Sequence, residues 1–426
     1  PDISESPSIW CHAKATRAHA VVDAAPYYEI IQAAMMNAKH RIMLIGWDFD
    51  TRIDLSRSRR KKGDPPKRLG DFILWLADRT PGLEIKLLKW NFGALKLMTR
   101  GSAMVDVAKW AMHKQIQFKL DSAHPVGCSH HQKIVVIDDK MAACGGIDMT
   151  ADRWDTPEHV DGDLRRKRPN GKLYGPWHDT TMLVEGDAAA ALAVLSRARW
   201  ELAGGDPMDP CPTDAASPWP EFLEAEYQFV EMGIARTRAE YKDATEIREI
   251  QHLFLEQIAR AKKFIYAENQ YFASPKIADA IAKRMAEPDP PEIIVVNPET
   301  ADGWLEQKAM DGARAQLLRA IGKHDPKDRF CIYVPHTKQG EPIYVHAKLM
   351  IVDDEILRIG SANMNNRSLG LDSECDIFID TTRPGNESAG PTIRSMRASL
   401  LAEHCGLSEE KVLELLEQGK TMRHII

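Results

Sequence analysis

Two short segments hold the residue types on which the chemistry of this sequence turns. His131-Gln132-Lys133 is followed by four apolar residues, Asp138 and Gly145-Gly146; 215 positions after the first histidine, His346-Ala347-Lys348 is followed by four apolar residues, Asp353 and Gly360-Ser361. On an extended strand residues two apart share a face, so each copy presents an imidazole beside an ammonium. Such a pairing suits a phosphodiester. Two lysines would neutralise the phosphate from both sides, and imidazoles titrating at about pH 6.5 can act as nucleophile and as acid at neutral pH. One histidine attacks phosphorus and the other protonates the leaving alcohol. The result is a covalent phosphohistidine, after which the acid turns base and activates water or an alcohol. Two in-line displacements predict retention at phosphorus. Two copies of one reactive segment predict a single shared site, so a monomer is expected to suffice.

The elements that position these groups are read outward from them. Residues 134–137 and 349–352 are short, largely β-branched runs bounded by polar residues, the pattern of strands buried on both faces. Parity places 131, 133, 135 and 137 on one face and Asp138 on the other, and Asp353 likewise turns away from His346 and Lys348. Both aspartates are therefore expected to bond a turn. The repeat is longer than the motif. Ala38-Lys39-His40-Arg41-Ile42 matches Ala261-Lys262-Lys263-Phe264-Ile265, Glu84 to Leu88 matches Glu292 to Val296, and Phe118 precedes His131 by the same distance as Tyr333 precedes His346. Each half reads helix, strand, helix, strand, strand, reactive strand, strand. The expected fold is α/β: two similar halves, residues 1–209 and 210–426, each a largely buried mixed β-sheet flanked by helices. They are expected to be related by pseudo-twofold symmetry, with the active site at their interface. The Gly- and Pro-rich segment from Gly204 to Pro220 marks the crossover.

The double HxK(x)4D(x)6G pattern resembles that of the phospholipase D superfamily. Glu268-Asn269-Gln270-Tyr271-Phe272, Gly175-Pro176-Trp177-His178-Asp179 and Gly360-Ser361-Ala362-Asn363 through Ser373-Glu374 extend the likeness to lipid-cleaving members. The first motif departs from Gly-Ser-x-Asn, reading Gly145-Gly146-Ile147-Asp148, a variant such members commonly show. The resemblance implies a phospholipase D that converts glycerophospholipids to phosphatidic acid and a free head group, with transphosphatidylation to small alcohols. A phosphodiesterase or nuclease of the same superfamily is the alternative, as is a catalytically inactive phosphate-binding scaffold. By resemblance His131 is the nucleophile and His346 the acid, beside Lys133 and Lys348. Glu374 occupies the position of the acidic partner to a histidine, and Asp155 is its expected counterpart downstream of His131. Asn363 and Asp148 stand at matching positions after the glycines and are both expected at the phosphate, the first as a donor to a phosphate oxygen, the second accepting from a neighbour. His178 and Asp179 are expected to support the wall of the site.

Composition narrows the partners. The chain of 426 residues is 44% hydrophobic and 28% charged, as soluble globular proteins are. No stretch approaches the roughly 20 apolar residues that span a bilayer, so it is not expected to be an integral membrane protein. A net charge of −6 and a pI of about 6.2 argue against nucleic acid as partner. A peripheral contact with a phospholipid bilayer or micelle is expected instead. Two basic loops, Arg57, Arg59, Arg60, Lys61, Lys62, Lys67 and Arg68, and then Arg165 to Arg168, are candidates for it. Trp154, Trp177 and Tyr271 are candidates for a lipid entrance. The resemblance suggests a bacterial enzyme that is secreted or delivered to membrane surfaces. Seven cysteines form no CxxC, and Cys128-Ser129-His130-His131 lacks the second spaced pair of a four-coordinate zinc site. No metal and no cofactor is predicted. Ser408-Glu409-Glu410 caps a C-terminal helix whose apolar face should pack on the body.

Overall fold

Between Cys11 and Val22 small buried residues alternate with more polar ones, Ala13 and Ala15 facing inward where Lys14 and Thr16 do not. That period of two builds a strand twelve residues long, and Tyr227–Arg238 is its equal in length. The two pair antiparallel, Val230 opposite Ala15 and Met232 opposite Ala13, at the centre of a sheet with sixteen strands among the described residues, the short strands Asp2–Ile3 and Ile247–Arg248 lying off its main path. The computed structural model describes residues 2–59, 61–91, 101–300 and 304–426; Arg60 of the first basic loop lies outside the described residues.

From this central pair the strands run outward in the same order on both sides. Beyond Cys11–Val22 come Thr180–Glu185, Met141–Gly145, Ile134–Ile137, Arg41–Gly46, Glu84–Trp90 and Ile116–Asp121; beyond Tyr227–Arg238 come Glu374–Asp380, Ile356–Gly360, Leu349–Val352, Phe264–Glu268, Glu292–Val296 and Phe330–Tyr333. In each half the outer three strands are parallel and the rest antiparallel. The fold is thus mixed α/β with helices on a large central sheet. The expected element list of each half lacked the long central strand. With it present, the two half-sheets fuse edge to edge into one sheet, which leaves neither of them an open inner edge.

Alternate residues of the motif strands enter different cores. Ile134, Val136, Leu349 and Ile351 join one cluster that spans both halves, while Val135 and Ile137 enter a second core and Met350 and Val352 a third. Each reactive strand is therefore clamped on both faces. Helices Asp187–Leu202 and Gly390–Cys405 contribute to the shared core, each following the last strand of its half.

Asp138 and Asp353 act alike. Asp138 accepts from the backbone N–H groups of Lys39, His40 and Arg41 at 2.7–2.8 Å, and Asp353 from those of Lys262, Lys263 and Phe264 at 2.7–2.8 Å. Each takes a left-handed φ, 53° and 55°, which aspartate tolerates better than most residues. The C-terminal helix Glu409–Glu417 is capped by the Ser408 hydroxyl and buries Val412. Among the described residues no helix is long and apolar enough to cross a membrane.

Candidate active site

His131 and His346 line one cleft of about 460 Å³, together with Trp47, Trp90, Arg153, Trp177 and Gln270. Each imidazole is oriented by a carboxylate from the opposite half of the chain. His131 Nδ1 lies 3.0 Å from Glu374 Oε2 and 3.0 Å from the Ser361 carbonyl. His346 Nδ1 lies 2.6 Å from Asp179 Oδ2. With the Nδ1 hydrogen given to a carboxylate, each ring keeps its Nε2 free for chemistry.

Glu374 is fixed in turn by the hydroxyls of Ser361, at 2.5 Å, and Ser368, at 2.6 Å. Asp179 accepts the N–H of Thr180 at 2.8 Å. Gly146 is required beside it, because a Cβ there would stand 2.1 Å from Asp179 Oδ1. This close approach explains why the first motif reads Gly-Gly where the second reads Gly-Ser.

The lysines fold back on their own strands. Lys133 Nζ donates to the His131 carbonyl at 2.7 Å and lies 3.6 Å from Asp148 Oδ2. Lys348 Nζ donates to the His346 carbonyl and, at 3.3 Å, to Gln270 Oε1. Burial, with the Lys133 and Lys348 charges, holds the His131 imidazolium far below its ordinary range; burial, Lys348 and Arg153 do the same to His346. Burial also pulls Lys348 down to about 7 against the Asp179 charge. It pushes Glu374 up to about 7 against Lys133, and Asp179 up to about 6 against Lys348. Without a substrate both imidazoles are neutral at pH 7, as a nucleophile must be. An arriving phosphate anion offsets the lysine charges and favours protonation of one of them.

Several expectations need correction. Asp155 does not serve His131. It is fully buried and occupied by His159, Arg166 and the N–H groups of Thr156 and Trp177. Asp179 is the second orienting carboxylate, and it serves the other half. His178, its neighbour, forms no dyad with it and enters a separate buried cluster with Glu268. Asp148 lines the cleft, but its Oδ1 accepts from Trp47 N at 3.1 Å. An acceptor-only group so placed opposes a phosphate, and its partner in the site is Lys133. Asn363 lines the cleft with its Nδ2 3.4 Å from Gln270 Oε1. His130 is turned away to Ser373, at 2.7 Å, and Asp121, at 3.1 Å. Two further residues emerge. Gln270 bridges Lys348 and Asn363, and Arg153 stacks 4.3 Å over the Trp177 ring, itself 5.3 Å from that of His346. Arg153 carried no signal of its own in the sequence motifs.

Of the proposed entrance aromatics, Trp177 and Tyr271 line this cleft, whereas Trp154 lines a second one of about 410 Å³, where Arg57, Arg68, Lys167 and Arg168 of the two basic loops meet. There Arg57, Arg68 and Arg168 face Asp54, Asp106 and Asp152, which offset much of the positive charge.

A family model described as "Phospholipase D" matches residues 34–217 and 327–425. Phospholipase D alpha 1 of Arabidopsis thaliana is 27% identical over 91% of this chain and 64% of its own length. Phospholipase D alpha 1 of Nicotiana tabacum is 26% identical over the same shares. The chain thus spans 64% of the length of these curated relatives. A crystal structure of phosphatidylserine synthase from Haemophilus influenzae Rd KW20 superposes with a TM-score of 0.62 at 13% identity, covering 97% of this chain and 94% of that one, a likeness of fold.

Proposed function

Because the chain belongs to the phospholipase D family, we propose that it is a phospholipase D, cleaving glycerophospholipids to phosphatidic acid and a free head-group alcohol. The observation that carries this reading is the crossed pair of histidine–carboxylate contacts, His131 with Glu374 and His346 with Asp179, opening on one cleft with a lysine beside each ring.

His131 Nε2 attacks phosphorus, and the bond to the head-group oxygen breaks as His346 gives that oxygen a proton. The phosphatidyl group is then carried on His131. Neutral His346 takes a proton from water or an alcohol, whose oxygen attacks phosphorus, and the P–N bond breaks to free His131. Lys133, Lys348 and the Asn363 amide meet the charge on the non-bridging oxygens. Assigning attack to His131 agrees with its greater access, its side chain being 15% exposed against 6% for His346. Trp47, Trp90, Trp177 and Tyr271 give the cleft an apolar lining suited to a lipid at a bilayer or micelle surface.

The test is product analysis on mixed phospholipid vesicles containing a little ethanol. Phosphatidic acid and phosphatidylethanol should form with the native chain and not with His131→Ala. Intact lipid throughout would sink the reading and turn attention to other phosphodiesters.

A further inference from the structure

Of the four consecutive cations Arg165 to Arg168, Arg166 alone is buried, where its guanidinium meets Asp155 at 3.2 Å and the Tyr174 carbonyl at 3.4 Å. That anchor leaves the rest of the loop outside. Lys167 pairs with Leu173 across a short antiparallel bridge, and the N–H of Arg168 donates to the Lys172 carbonyl at 2.8 Å, closing a hairpin over Asn170 and Gly171. Two large apolar side chains stand in solvent there, Leu164 at 74% and Leu173 at 50% exposure, among the exposed cations Arg165, Lys167, Arg168 and Lys172. Apolar side chains kept in water and ringed by cations suit an interface that is apolar within and anionic at its surface.

The same hairpin lines the second cleft, of about 410 Å³, where Arg52, Arg57, Arg68, Lys167 and Arg168 meet. With Asp50 and Asp106, which pair with Arg52 and Arg68 from outside the lining, and Asp54 and Asp152 within it, four carboxylates answer five cations. The surplus is Lys167, which has no carboxylate at ion-pair distance among the described residues. The carboxylates also orient the guanidiniums without saturating them, because a guanidinium has five N–H donors and a bidentate carboxylate occupies two. Arg52 gives two to Asp50 at 2.9 Å each. Arg57 stands over the Trp154 ring, 5.5 Å from its centre, and its buried Nε makes no hydrogen bond among the described residues.

We propose that this second cleft, with Leu164 and Leu173 at its hairpin, binds a membrane lipid whose head group is a phosphomonoester. Phosphatidic acid is such a lipid, and its being the product of the same chain rests on the phospholipase D reading. A phosphomonoester carries a charge of about −1.5 to −2 at neutral pH and three terminal oxygens, which an ammonium and two forked guanidiniums can meet together. A phosphodiester head group offers one charge and two such oxygens. The site is separate from the catalytic cleft and shares a wall with it: in the segment 148–154, Asp148 and Arg153 line the catalytic cleft, and Thr150, Ala151, Asp152 and Trp154 line the second. Product held there keeps the chain on a surface where it has already acted, so turnover on a neutral surface accelerates as product accumulates.

The test is cosedimentation of the full His131→Ala chain with phosphatidylcholine vesicles that contain phosphatidic acid or phosphatidylglycerol, matched in surface charge. Because binding is the readout, the result stands whether or not the native chain cleaves phospholipids. Phosphatidic acid should bind about tenfold more tightly than phosphatidylglycerol, and Lys167→Glu should remove most of that preference. Leu164→Ser should weaken binding to both vesicles and keep the preference. Both positions are exposed, so neither change threatens the fold. With His131 intact, Lys167→Glu should turn over a soluble nitrophenyl phosphodiester as the native chain does. Equal binding to the two vesicles would mean that surface charge alone attracts the chain, and complete displacement by glycerol 3-phosphate would mean a site for a free phosphate ester. Either result, or a preference that survives in Lys167→Glu, would overturn the proposal.

Discussion

The two copies of the reactive segment share a backbone and differ in their surroundings. Around His131 the orienting Glu374 is held by two serine hydroxyls, and Lys133 has Asp148 at 3.6 Å. Around His346 the orienting Asp179 presses against a glycine, Lys348 is met by the neutral amide of Gln270, and Arg153 adds a positive charge. Duplication thus supplies geometry, and neighbours outside the motif supply the difference between two chemical roles. A carboxylate beside one lysine and an amide beside the other is the kind of inequality that separates a nucleophile from an acid.

The largest effects should come from breaking the pair itself. His131→Ala should lower kcat by roughly 10⁴-fold or more, since the nucleophile has no substitute. His346→Ala should cost about 10²–10⁴-fold on a natural head group. With a nitrophenyl phosphodiester, whose leaving group needs no acid, His346→Ala should still release a burst of nitrophenol and His131→Ala none; the reverse pattern would exchange the two roles. Next come the crossed carboxylates. Asp179→Asn and Glu374→Gln should each lower kcat by roughly 10²-fold or more with little change in KM, because the ring loses its tautomer and not its place. Steady-state kinetics that moved KM alone would count against this.

The pH profile sharpens the comparison further. Below about 6 and about 7 Asp179 and Glu374 protonate and stop accepting from the rings, while above about 7 Lys348 loses its charge. The profile of kcat/KM should therefore be narrow and peak near pH 7, with a broader kcat profile, because bound phosphate keeps Lys348 protonated. In Lys348→Arg the alkaline limb should move upward, guanidinium remaining charged. The smallest effect belongs to the turn aspartates. Asp138→Ala and Asp353→Ala each orphan three backbone donors, so each should cost about 1–3 kcal/mol in denaturant unfolding with kcat of the folded fraction unchanged.

Local pattern made much of this legible. The apolar runs after each motif, the glycines behind them and the strand pairs 41–46 with 264–268 and 84–90 with 292–296 could be read because each lies within a short window. Asp155 was misread because its distance was counted within one half, whereas both orienting contacts cross between halves. The correct signal was in the register. Gly145 pairs with Thr181 and Gly360 with Asp376, so Asp179 and Glu374 are equivalent positions two residues earlier, at the entry to the last strand of each half. Extending the repeat through that strand would have found Asp179.

The crossed contacts and the shared central strand pair bear on how the molecule could be divided. Severed in the crossover between Leu202 and Tyr227, each fragment would carry one reactive histidine together with the carboxylate that orients the other fragment's histidine, and one long unpaired edge. Neither fragment could work alone. Mixed, the two would have every reason to reassemble, each bringing the other both the strand that closes its sheet and the carboxylate that aims its imidazole.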